Sequence, residues 1–176
     1  MQGRGSIVGG VTPRTVPTAE DHAGAAQIAL GRLAAGASPG ELKARLEPLH
    51  PPHDTFPGEV LLELAADAIE EAGASRAEPI ELEGIRDRYL PECTAHTREQ
   101  HYKSEFAIRA AAMIRAGVDP GLLDEAAWWR VDDLWMWSVD ALVVYVRVAA
   151  DRSGTSVADV CRRLATRKGV EVTRLN

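Results

Sequence analysis

The sequence predicts an all-α fold: a compact bundle of about seven to eight helices around a tryptophan-rich central helix, at about residues 133–151. Three observations predict it. The stretch 126–150, AAWWRVDDLWMWSVDALVVYVRVAA, holds all four tryptophans and the longest nearly uncharged run in the chain. Elsewhere apolar residues recur three and four apart between Gly, Pro and Ser/Thr/Asp punctuation, the spacing of helices with one inward face. With 45% hydrophobic but only 5% aromatic residues, the apolar content is mostly Ala, Leu and Val, which suits closely packed helices.

Residues 1–17 are rich in Gly, Pro and Thr without periodicity and read as a flexible arm, too short in its apolar run for the core of a signal peptide. A single domain is expected over 18–169, followed by a tail at 170–176. Thr18 is placed to cap the first helix, with Glu20 and Asp21 in its first turn, Ala25, Ala29 and Leu33 on its inner face and Gly36 ending it. Ser38-Pro39-Gly40-Glu41 reads as a capping box with Pro at the first helical position, opening a second helix with Leu42, Leu46 and Leu49. The three prolines in HPPHDTFP, residues 50–57, break it.

A third helix is expected over 58–72, with Val60, Leu61, Leu64, Ala65, Ala68 and Ile69 inward and Gly73 as its stop. From 74 to 92 the pattern weakens, and Pro79, Gly84 and Pro91 predict a short helix with irregular flanks. Thr97 and Gln100 box the start of a fifth helix, in which Tyr102, Phe106, Ala110 and Met113 recur at helical spacing until Gly117. Asp119-Pro120 opens a sixth that runs into the tryptophans, and Asp132 or Asp133 caps the central seventh. Ser156 and Asp159 box an eighth, with Val157, Val160, Cys161 and Leu164 on one side and its end near Gly169.

In the central helix Arg130, Asp133, Trp137, Asp140, Val144, Arg147 and Asp151 fall alternately three and four apart, one narrow stripe that reads as a wet edge. That stripe, and a charge near the middle, argue against a membrane span, which needs about 20 mostly apolar residues. Trp128, Trp129 and Trp135 read as core, each contributing roughly 4–6 kcal/mol gross if fully buried. Trp137 shares the stripe with the charges and reads as exposed, which makes Trp137, Asp140 and Arg147 the candidate interaction residues.

Segments AGASPGEL at 35–42 and AGVDPGLL at 116–123 repeat at an offset of 81 residues, which also pairs Leu61 with Leu142, Ala68 with Ala149, Gly73 with Gly154 and Ser75 with Ser156. One reading is a duplication into two four-helix units, 18–92 and 97–169. The other is that helix corners reuse Gly, Ser or Asp, and Pro because capping needs them.

The chemistry-bearing residues are few. Cys93, His96, His101 and Glu105 have gaps that suit tetrahedral zinc or another divalent metal, with His101 and Glu105 one turn apart on a helix face, and would serve a metal-dependent hydrolase or oxidase. The solvated start of a helix would carry the same residues. His50, His53 and Asp54 form a second polar group in the proline-rich loop. Asp140 could act as an acid if burial raised its pKa, or face solvent, or pair with a cation of a neighbouring helix. Phosphate-loop, nucleophile-elbow and zinc-protease motifs are missing.

The C-terminal segment SVADVCRRLATRKGVEVTR has the cadence of the first helix of a helix-turn-helix and carries Arg162, Arg163, Arg167 and Lys168, but too little chain follows Gly169 for a recognition helix. With a net charge of −6 and a pI near 5.4 the chain as a whole has no pull toward nucleic acid or anionic membrane. The expectation is a cytoplasmic, non-catalytic helical protein without a cofactor, associating with itself or with a protein partner. The Ala-, Gly- and Arg-rich composition with clean caps is common in bacterial helical proteins and carries no function.

Overall fold

The computed structural model describes residues 16–50, 56–75, 80–92, 95–119 and 134–172. Among these are seven α-helices and no strand: α1 (Ala19–Ala34), α2 (Pro39–Leu46), α3 (Gly58–Ser75), α4 (Ile85–Tyr89), α5 (Arg98–Arg115), α6 (Leu134–Ser153) and α7 (Val157–Lys168). The expected sixth helix, with Trp128, Trp129, Asp132 and Asp133, lies outside the described residues, as do His53, Asp54 and Cys93. The central helix of the sequence reading is therefore α6, and its eighth helix is α7.

Local chemistry sets the boundaries. Four capping boxes open α1, α2, α5 and α7: Thr18 with Asp21, Ser38 with Glu41, Thr97 with Gln100, and Ser156 with Asp159. Each cap hydroxyl accepts the amide three residues on, while that residue's side chain accepts the cap's own N–H, so two otherwise unpaired amides are satisfied. At the other ends Gly36, Gly117 and Gly169 adopt φ of 86°, 93° and 67°, the left-handed turn that releases the chain from α1, α5 and α7. Gly73 does not stop its helix: α3 continues to Ser75, because a glycine terminates a helix only where it takes that left-handed conformation.

The core is organised on α3 and α6, the most extensively packed pair. Leu61, Leu64, Ala65, Ala68 and Ala72 of α3 and Val139, Ala141, Leu142, Val144, Tyr145 and Ala149 of α6 have no exposed surface. Small residues in α3 let the two axes approach, and the β-branched run in α6 fills the space. Helix α5 lies across both, α1 packs against α7, α2 against α1 and α6, and α4 against α6. The Tyr145 hydroxyl donates to the Ile108 carbonyl at 2.8 Å, joining α6 to α5 inside the core.

The expected wet edge of α6 is mostly dry. Trp137 is 3% exposed, Asp140 and Val144 have no exposed surface, and solvent is met only toward Arg147 and Asp151. Spacing identifies residues that share a face; what covers that face is decided by the rest of the chain, here α2 and α5. No described helix is long and apolar enough to cross a membrane.

The 81-residue offset carries Gly36 onto Gly117, and in both places the amide of the next residue bonds five residues back, to Arg32 and Met113, at 3.0 Å. Leu61 and Leu142, and Ala68 and Ala149, are alike fully buried. Gly73 and Gly154 differ: the first is inside α3, the second has φ of 63° between α6 and α7. Duplication and recurrent corner chemistry account equally for the first pair.

Candidate functional site

Asp140, in the middle of α6, is held by two other helices. Lys43 of α2 brings its Nζ to 2.7 Å from Oδ1, and Ser104 of α5 donates its hydroxyl to Oδ2 at 2.8 Å. The Lys43 contact is a buried charge pair between α2 and α6. The same ammonium lies 4.8 Å from the centroid of the Trp137 ring, a cation–π contact one turn along α6. Burial pushes the Asp140 carboxyl up from its ordinary value, and Lys43, Ser104 and Arg86 pull it back only in part, so desolvation prevails.

This corrects the exposed reading of Trp137 and realises one of the two structural alternatives for Asp140, pairing with a neighbouring helix's cation. Sequence reasoning missed Lys43 and Ser104. The signal was present: Lys43 lies one turn before Leu46, and Ser104, Ala107, Ile108 and Ala111 form a helical stripe of their own.

Arg147, the third expected interaction residue, works within the chain. Its Nη1 donates to the Tyr89 carbonyl at 2.9 Å and its Nη2 pairs with Glu92, closing the end of α4 against α6. The Arg147 bond holds the Glu92 carboxyl below the usual range. Tyr89 returns the contact, donating its hydroxyl to Asp151 at 2.8 Å.

Of the metal candidates, Cys93 lies outside the described residues and His96 is exposed. Glu105 has Arg86 Nη1 at 3.7 Å, and the same Arg86 nitrogen donates to the His101 carbonyl at 3.1 Å. A guanidinium thus stands where a divalent cation would share Glu105, and like charges compete for such a place. Among the described residues no three His, Cys, Asp or Glu side chains gather as metal ligands. His50 has its Nδ1 2.8 Å from the Phe56 carbonyl, with its ring tilted at 5.4 Å from Trp135.

The basic residues of α7 meet an acidic edge of α3. Arg163 pairs with Glu71 at 2.8 Å, Arg167 with Glu71 at 2.6 Å and Glu70 at 3.3 Å, and Lys168 with Asp67 at 3.0 Å and Glu63 at 3.7 Å. Arg162 pairs with Asp159 within α7. These pairs neutralise the charge that phosphate binding would use. After Gly169, residues 170–172 are not helical, and Val170 and Val172 pack on the core.

A different surface stands out on α5. The stripe that announced this helix is buried only in part: Ala110 faces the core with Ser104, Ala107, Ile108 and Ala111, while Tyr102 is 68% exposed, Met113 43% exposed and Phe106 half-buried. The small residues win the inner face because α5 crosses both α3 and α6 closely, and Ser104 must reach Asp140. Tyr102, Phe106, Arg109 and Met113 follow one another by four, three and four residues, one outward stripe with Glu105 along its edge.

No protein-family model, no curated protein and no solved structure matches the chain.

Proposed function

We propose that the chain acts by association, using the outer face of α5, in keeping with a non-catalytic cytoplasmic protein that binds itself or a protein partner. One observation carries the reading: of the three exposed large hydrophobics among the described residues, Val16, Tyr102 and Met113, two share a single helical stripe. Large apolar side chains that gather on one face mark contact surfaces more often than scattered ones do, and tyrosine is enriched where contacts matter energetically. The sealed setting of Asp140, under Lys43 and Ser104, supports association over catalysis by that carboxyl, since a solute reaches it only if helices part.

The test is the native mass of the protein isolated from cells, for the wild type and for Tyr102→Glu/Met113→Glu. The proposal expects a wild-type species heavier than 19.0 kDa and a variant at that mass with unchanged helicity and melting temperature. The same assembly in both proteins, or a 19.0 kDa species in both even in concentrated lysate, overturns it.

A further inference from the structure

Resting on that reading, we infer that the occupant of the α5 face is a second copy of the chain, with its α5 antiparallel to the first across a two-fold axis. The charges on the stripe select this arrangement. Glu105 and Arg109 lie one turn apart on the same side of the outward face, both exposed. Two copies laid antiparallel and centred on Ala107 put Glu105 of each beside Arg109 of the other, because the two residues are equally far from that centre. A parallel pairing, about a two-fold along the helices, carries these same-side charges to opposite flanks of the pair and leaves both without an opposite charge across the seam.

The apolar residues obey the same symmetry. Tyr102 and Met113 stand almost equally far from Ala107 on either side, so each Tyr102 ring meets Met113 of the second copy, an aromatic–thioether contact. Phe106, close to the axis, packs near its own counterpart. One self-complementary patch therefore satisfies its charges and covers its apolar residues with a copy of itself, as an isologous interface requires.

The area sets the strength. Helix α5 has 18 residues. At about 1.5 Å rise per residue and a width of roughly 10 Å, each copy contributes on the order of 270 Å². The total falls short of the roughly 1,200 Å² of a stable interface, so the pairing is reversible, with a dissociation constant in the micromolar range or weaker.

Charge reversal tests the geometry. Sedimentation equilibrium from about 5 to about 500 μM, bracketing the weak range expected for so small an interface, is run on the wild type, Glu105→Arg, Arg109→Glu and an equimolar mixture of the two variants. Each variant alone places like charges at both crossings and is expected to weaken self-association at least about tenfold. In the mixture Arg109 of one copy meets Glu105 of the other and the two new residues meet each other, so the pairing returns as a heterodimer. Recovery on mixing also separates lost attraction from a misfolded variant, since Glu105 also contacts Arg86.

A wild type that stays at 19.0 kDa throughout overturns self-pairing while leaving the α5 face open to another protein. A wild-type dimer indifferent to both reversals overturns the Glu105–Arg109 pairing, and its response to Tyr102→Glu/Met113→Glu then decides separately whether the α5 face is used. Singles that weaken without recovery on mixing overturn the antiparallel geometry.

Discussion

Replacing Lys43 by Met removes the cation 2.7 Å from a carboxylate that has no exposed surface. Breaking a buried pair from one side costs about 3–5 kcal/mol, because the remaining charge keeps its desolvation penalty and loses its compensation. Asp140 can escape only by taking up a proton, which makes the cost depend on pH. Its folded-state pKa already lies above the ordinary 3.8 on account of burial, with Lys43 the largest opposing influence. A carboxyl raised in this way binds protons more tightly folded than unfolded. Its effect on stability is most favourable below the unfolded value and is lost as pH rises through the folded one.

Without Lys43 the folded value climbs further, so the window widens upward, and each pH unit within the added range costs about 1.4 kcal/mol. Urea unfolding followed by circular dichroism from about pH 4.5 to pH 8, a range above the unfolded carboxyl's titration, gives the deficit of Lys43→Met relative to wild type. The deficit is expected to be smallest at the acid end, to grow toward neutrality, and to level off once the variant's own folded value is passed. Lys43→Met/Asp140→Asn, which removes the stranded charge and keeps an acceptor for Ser104, is expected to recover most of the loss. A deficit below about 1 kcal/mol at pH 7, or one that does not vary with pH, refutes the claim that Lys43 offsets the burial of the Asp140 carboxyl.

Three further outcomes follow from the same geometry. Tyr145→Phe, which deletes the buried bond to the Ile108 carbonyl, is expected to cost about 1–1.5 kcal/mol by urea unfolding, and no loss would show that bond to be idle. Cys161 is fully buried and its thiol is pushed up to about 12 by burial, so in a Cys93→Ser background it is expected to react with a thiol reagent only at the rate of unfolding. Labelling independent of denaturant would contradict its place in the core. Asp159, held down to about 2 by the Ser156 hydroxyl and by Arg162, stabilises the start of α7 fully above 3.8 and loses that effect as pH falls through about 2. A carboxyl titration by NMR centred near 3.8 would show that the Ser156–Asp159 box is open in solution.

The parts of the fold that follow from neighbouring residues were legible in the sequence. Ser38 with Glu41, Thr97 with Gln100 and Ser156 with Asp159 announce helix starts because a cap and its reciprocal partner lie three residues apart, and Gly36 and Gly117 end helices through their own backbone freedom. The central place of α6 was legible too, since a run such as ALVVYV gains stability only by leaving water.

What covers a face was not legible. The stripe from Trp137 to Arg147 reads as wet whether or not α2 places Lys43 over it, and α5 carries two stripes at helical spacing, one large and one small. Side-chain size favours the wrong one, because the crossing of α5 over α3 and α6, which buries Ser104, Ala107, Ile108, Ala110 and Ala111, is a property of the whole bundle. The same reversal leaves Tyr102 and Met113 outside, so the candidate surface became visible only with the packing.

The claim that copies of the chain pair through this outward stripe is tested most directly by hydrogen–deuterium exchange on the unmodified protein, dilute and concentrated. Slower exchange on concentration in peptides spanning α5, with α7 and α1 unchanged, is the predicted result. Exchange that is the same at both concentrations, or protection that appears on α7 and not on α5, would contradict it.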